Sequence, residues 1–209
     1  MEGLAAGRLR GSVGPAPAGL TLVQELLNTA TRSPHEDSHL PDLLADVDQA
    51  NRWLAAAAGQ WAEATGQPDP GLRLSESDLA PLRRLREAVR TLAVGPAAGS
   101  PIAPPPGTGN LTLRFEQDGR VVYGTAAAGW RGVAALVAAE VLLAQRTGDW
   151  ERFKACPYPE CGIAFYDQTR NNNRVWHDVR ICGNRTNLGT SRQRRREAAA
   201  AADQGSVVQ

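Results

Sequence analysis

Apolar residues recur at three- and four-residue steps through most of the first 150 positions, the repeat that lines one face of an α-helix. Leu22, Val23, Leu26 and Leu27 mark a short helix over 21–31. Between His39 and Gly59 the step is kept by Leu40, Leu43, Leu44, Val47, Ala50, Leu54 and Ala57, and Gly59 offers a stop. Ser75 to Val94 repeats the logic with Leu79, Leu82, Leu85, Val89 and Leu92; Ser75 or Ser77 can cap its start, and Gly95-Pro96 ends it. Ala126 to Thr147 is apolar almost all round, which predicts the central helix of this region. One stretch follows a different period. Residues 111–116 and 120–125 alternate around Gln117-Asp118-Gly119, and an Asp-Gly between alternating runs predicts a β-hairpin.

The helical pattern stops at Gly148-Asp149-Trp150, where Cys, Pro, Asn and Arg replace Ala and Leu. Residues 1–19, rich in Gly, Ala and Pro, read as a flexible leader. Five prolines and four glycines make 95–110 a loop. No internal repeat is present. The expected organisation is a leader over 1–19, a helical domain over 20–149 with its hairpin at 111–125, a small separate module over 150–202, and a tail over 203–209.

Composition is that of an ordinary globular chain, with 42% hydrophobic and 22% charged residues, enough for one real core. The formal net charge of +1 conceals a split. Residues 151–196 hold ten basic and four acidic side chains, whereas 1–150 hold more acids than bases. That asymmetry points to a basic module with an anionic partner. The most apolar run, 132–144, is too short to span a bilayer and contains Glu140. No apolar segment resembles a signal peptide, and a reducing cytoplasm is the expected location.

All three cysteines fall within 156–182, an odd number that argues against a disulfide framework. Cys156 and Cys161 are separated by four residues, as are His177 and Cys182. Zinc takes four such ligands in a tetrahedron, and pairs spaced by two to four residues present them from tight turns. Pro157 and Pro159 stiffen the first turn, while Gly162 and Gly183 free the backbone beside two ligands. A module of this size buries too little apolar surface to fold unaided, so a metal staple answers a physical need. Four protein ligands also close the coordination sphere, as in a structural rather than a catalytic site. The competing readings are weaker. Three unconnected thiols would not converge on one window. A cytidine-deaminase-type centre would need a two-residue Cys spacing and a preceding His-x-Glu. A cysteine nucleophile would need a placed base, and the module has only His177.

Trp150-Glu-Arg-Phe-Lys-Ala-Cys156, Cys161, Phe165-Tyr-Asp-Gln-Thr-Arg170-Asn171, Arg174-Val-Trp176 and Cys182-Gly-Asn-Arg185 resemble the CGNR zinc finger, named for the tetrapeptide at its last cysteine. In that family the finger follows a helical ABATE domain. Leu22-Val-Gln-Glu-Leu-Leu-Asn28-Thr29, with Leu43, Trp53 and Leu54, is similar to that domain's opening. The resemblance covers about 20–196 and is most specific over 150–185. It implies a bacterial transcription regulator, described as stress-induced, with the finger as its DNA-binding part. Two positions depart from the family pattern. The third ligand, usually Cys, is His177, an equally good zinc ligand. Asn187 stands where a Lys is common, which removes one candidate phosphate contact.

The fold class expected is mainly α with one β-hairpin in the N-terminal domain, then a small treble-clef-like zinc finger ending in a basic helix. If Cys182 opens a helix running to about Ala202, Arg185, Arg192 and Arg196 share one face, with Arg195 to one side. Arg170, Arg174 and Arg180 could extend that positive surface. Arginine suits both phosphate and guanine edges through its planar fork. Trp176 and Tyr166 could stack bases or pack the small core, and Asn171 to Asn173 could read bases or make a turn. Asn184 could bond a zinc-bound thiolate, cap the helix or contact a base. His35 and His39 beside Glu36 and Asp37 read as a solvated loop. Asn28 and Thr29 could line a ligand pocket or satisfy helix backbone. No phosphate loop, triad or carboxylate pair supports an enzyme. The expected partners are structural Zn2+, duplex DNA and an effector at the N-terminal domain, which could also mediate a homodimer. A protein-binding adaptor and an RNA-binding protein are the alternatives.

Overall fold

The computed structural model describes residues 13–30, 41–94, 110–158 and 161–187. These fold mainly into four helices: α1 (Leu20–Leu27), α2 (Val47–Thr65), α3 (Glu76–Val94) and α4 (Gly129–Thr147). Two antiparallel strand pairs accompany them. β1 (Leu111–Phe115) pairs with β2 (Val121–Thr125), and β3 (Phe153–Ala155) pairs with β4 (Ala164–Tyr166). The first pair is the hairpin read from the alternation, turned by Gly119 at φ 84° with Glu116 N–H donating to Arg120 O. The second was not foreseen, because three residues per strand are too few for alternation to register.

α2 departs from its expected bounds at both ends. Leu43 and Leu44 are buried, but they sit in a turn whose Leu44 N–H is held by the Asp42 carboxylate. The helix begins only after Asp46, whose side chain accepts from Gln49 N–H as an N-cap. Gly59 lies inside it, and the stop comes at Gly66, which takes the left-handed backbone at φ 67° that closes a helix. α3 matches its expected span to within one residue, with Asp78 reaching back to Ser75 N–H and Oγ at its start. The cluster around His35 and His39, and the loop expected over 95–110 up to residue 109, lie outside the described residues.

The central helix is α1 rather than α4. All eight of its residues are buried, Thr21, Gln24 and Glu25 among them, and it touches α2, α3, α4 and β4. α4 packs through Val133, Leu136 and Val137 but leaves Leu142 and Leu143 exposed. Around α1 the core closes with Trp53 and Trp61 from α2, Leu82 and Leu85 from α3, and Phe153 and Ala164 from the second strand pair. The expected leader is packed from Val13 onward: Val13 and Ala16 are buried, and Ala16 N–H donates to the Gln24 side chain at 2.7 Å. Among the described residues no helix is long and apolar enough to cross a membrane.

Candidate metal centre

β3 and β4 end at a tight loop that carries the first two cysteines. Cys156 N–H donates to Ile163 O, and Cys161 N–H donates to Tyr158 O. Gly162 follows at φ 65°, which a side chain would strain. The other two residues of the cluster arrive from the far side. Asp178 caps a single wide helical turn (Val179–Gly183) by accepting from Arg180 and Ile181 N–H, which presents Cys182 inward. Trp176 lies over Gly183, where an added Cβ would come within 3.1 Å of the indole.

Cys156, Cys161, His177 and Cys182 are all buried, and their ligand atoms lie within 4.8 Å of one another. His177 turns Nδ1 toward the sulfurs, at 3.2 Å from Cys161 Sγ and 3.6 Å from Cys182 Sγ. Tetrahedral zinc with ordinary bond lengths spaces sulfur and nitrogen ligands by about 3.5 Å. The donor set and its spacing therefore suit a zinc-sized ion. Crowding shows in the acid–base behaviour of the thiols. A hydrogen bond from the Cys161 thiol holds Cys156 down at about 4, and that same bond pushes Cys161 up. Burial, with the charge of Cys156, pushes Cys182 up to about 12. Cysteine binds a metal as its thiolate, so metal binding here would release protons.

The loop between β4 and His177 is organised by a group that the sequence reading missed. The Asp167 carboxylate, fully buried, accepts from Lys154 Nζ (2.8 Å), Thr169 N–H (2.9 Å) and Oγ1 (2.6 Å), and Arg174 N–H (2.7 Å). Burial alone would raise its pKa, but these donors reverse that and hold it well below the usual carboxylate range. Lys154, the chain's only lysine, also donates to Asn172 O and Arg174 O. The sole signal in the sequence was the Asp-x-Thr spacing, which favours a side-chain-closed turn.

The basic residues divide into two groups. Arg170, Arg180 and Arg185 are exposed. Arg174 is turned inward: its guanidinium donates to Trp176 O and His177 O and sits 5.0 Å from the Phe165 ring centroid. Arg192, Arg195 and Arg196 lie outside the described residues. Trp176 packs with the cysteine cluster, and the Tyr166 hydroxyl donates to Asp149. Asn172 takes a left-handed turn at φ 50°. The Asn184 side chain is exposed, and its backbone N–H closes the turn on Ile181 and Val179 O.

The cysteine cluster docks directly on the helical domain. Asn28, at the end of α1, pairs with Ala164 like a strand neighbour, accepting from its N–H at 2.9 Å and donating to its carbonyl at 3.1 Å. Thr29 has the helix-backbone role, donating to Leu26 O while accepting from buried Arg86. Arg90 of α3 bridges the two regions by donating to Gly162 O, Leu27 O and Ala30 O.

Comparison with known proteins agrees with this arrangement. Residues 152–195 match the family described as CGNR zinc finger. Residues 20–155 match ABATE, described as "Putative stress-induced transcription regulator". No curated protein matches the chain. With well over half of its length matched by the second of these families, the chain belongs to the ABATE family and carries a CGNR zinc finger at its C-terminal end.

Proposed function

We propose that the protein is a cytoplasmic DNA-binding transcription regulator in which Cys156, Cys161, His177 and Cys182 hold one structural zinc ion. The observation that carries this reading is the buried Cys3His cluster at the root of a segment with ten basic and four acidic residues. Bound zinc would supply a fixed cross-link between the β3–β4 loop and the turn at Cys182. The finger would then be treble-clef-like, its basic helix continuing from the helical turn at 184–187. Exposed Arg170, Arg180 and Arg185, with Arg192, Arg195 and Arg196 beyond, are the residues we assign to DNA phosphates and base edges. Arg174, being turned inward, is assigned to holding the loop in shape. The N-terminal domain would act as sensor or as dimerisation module, in keeping with the family's regulator description.

Anisotropy titrations of labelled duplex DNA across a salt series test this. The logarithm of affinity should fall with the logarithm of salt by about 0.9 per phosphate neutralised, and chelator should abolish binding. No binding, or a response flat in salt, would point to a protein-binding adaptor. A single-stranded RNA probe that outcompetes the duplex would point to an RNA-binding protein.

A further inference from the structure

Glu140 of α4 is a charged side chain only 3% exposed, and the metal centre makes no use of it. Its carboxylate is held from one side. Trp61 Nε1 donates to Oε1 at 2.7 Å and the Tyr123 hydroxyl donates to the same oxygen at 2.6 Å. The two rings meet edge to face, 5.8 Å between centroids, so the clamp is rigid. Oε2 accepts no hydrogen bond from any described residue and is not sealed from solvent, which leaves it open to a further partner.

Glu140 lines a cavity of about 260 Å³ between the chain entering α1, the end of α2, β2 and α4. Gly19 makes room for it: a Cβ there would stand 1.8 Å from Oε2, although φ is an unstrained −70°. The glycine is needed for space and not for backbone freedom. Pro17, Leu20, Ala64 and Ala144 supply apolar wall, Asp149 adds a second carboxylate that Tyr166 and Thr147 already hold, and no described lining residue is basic. An anion would meet only like charge there. A small cation with an apolar body would pair with Oε2 by a charge-assisted hydrogen bond and cover the alanines with its carbon frame.

We propose that this cavity binds a small organic amine, with the Glu140 carboxylate as the recognition group. The proposal deepens the sensor reading of the N-terminal domain and rests on it, but it is independent of zinc and DNA. Calorimetric titration of the full zinc-loaded chain with benzylamine, benzyl alcohol and benzoate tests it. Benzylamine should bind at least about tenfold more tightly than the alcohol, the margin of one hydrogen bond to a charged group, and benzoate should not bind. Glu140→Gln keeps an acceptor for Trp61 and Tyr123, so the fold should hold while that tenfold preference disappears. Leu143→Trp, at a half-exposed position on the rim, should block benzylamine and benzyl alcohol alike without touching the carboxylate. If alcohol and amine bind alike, or Glu140→Gln keeps the preference, the amine assignment fails and the sensor reading survives. If none of the probes binds, both fail.

Discussion

The helical domain and the cysteine cluster are held together by different physics, although they share a wall. Around α1 the domain buries Trp53, Trp61 and sixteen leucine and valine side chains, and α2 carries its own cap and stop. Among the described residues the cluster has a core of Val13, Ile163, Phe165 and the three cysteines, edged by Tyr158, Trp176 and Ile181. Its strands are three residues long. What apolar burial does in the first region falls in the second to charged groups bonded to backbone and, on the proposed reading, to zinc. Removing one ligand should therefore have a larger effect than any single change in the helices. For Cys161→Ser, elemental analysis should give less than one zinc per chain, and Trp176 emission should shift to that of a solvated indole. Since structural zinc contributes on the order of 10 kcal/mol, the knuckle should unfold outright. Phe153 and Ala164 belong to the main core, so the helical domain should melt at lower temperature as well while keeping its helical circular dichroism. An unchanged melting temperature would mean that the two regions are energetically separate.

Asp167→Asn asks whether the polar scaffold of the knuckle matters independently of zinc. The variant leaves Lys154 without its carboxylate, and breaking a largely buried ion pair costs about 3 kcal/mol. Because the folded state holds this carboxyl below its ordinary value, its contribution is full at neutral pH. It is lost as pH drops below about 4 and toward the folded value. Urea unfolding of wild type and variant should accordingly differ most near neutrality and converge in acid. A constant gap across that range would assign the effect to packing instead.

The shared wall is probed by Asn28→Ala. Ala164 is fully buried, so the change orphans its N–H, while its carbonyl keeps a long contact from Gln24 at 3.4 Å. A loss of about 2 kcal/mol is expected. Amide exchange should quicken in β4 more than in α2, which tells weakened docking from a general loss of stability.

Legibility in the sequence follows the same division. Periodicity located all four helices because each buries a face long enough to leave a repeat, whereas the hairpin, whose first strand is exposed throughout, was marked by its Asp-Gly turn between alternating runs. Spacing, together with the gathering of all three cysteines in one window, brought Cys156, Cys161, His177 and Cys182 forward. Contacts between distant segments left no such trace. Asn28 to Ala164 spans 136 residues, Arg90 to Gly162 spans 72, and Trp61 to Glu140 spans 79. Glu140 stood out only as an acid in an apolar run, and nothing local revealed that Gly19 makes space for it. The boundary near 150, clear in composition, is crossed in space by Phe153, Ala164 and the chain from Val13 to Gly19.

Within the knuckle the arginines themselves supply the finest comparison. Arg170 is exposed, whereas Arg174 holds two backbone carbonyls beside a cluster ligand. Arg170→Ala should leave stability within about 0.5 kcal/mol of wild type, as surface changes usually do. It should nevertheless lower the steepness of the salt dependence of DNA binding by about 0.9, the loss of one phosphate contact. Arg174→Ala should do the reverse, weakening the fold and, with zinc in excess, leaving the salt slope alone. Two arginines four residues apart would then separate contact from support. If both variants changed the slope equally, the inward guanidinium would have to swing out to meet the nucleic acid, and its bonds to Trp176 and His177 would belong to the free protein only.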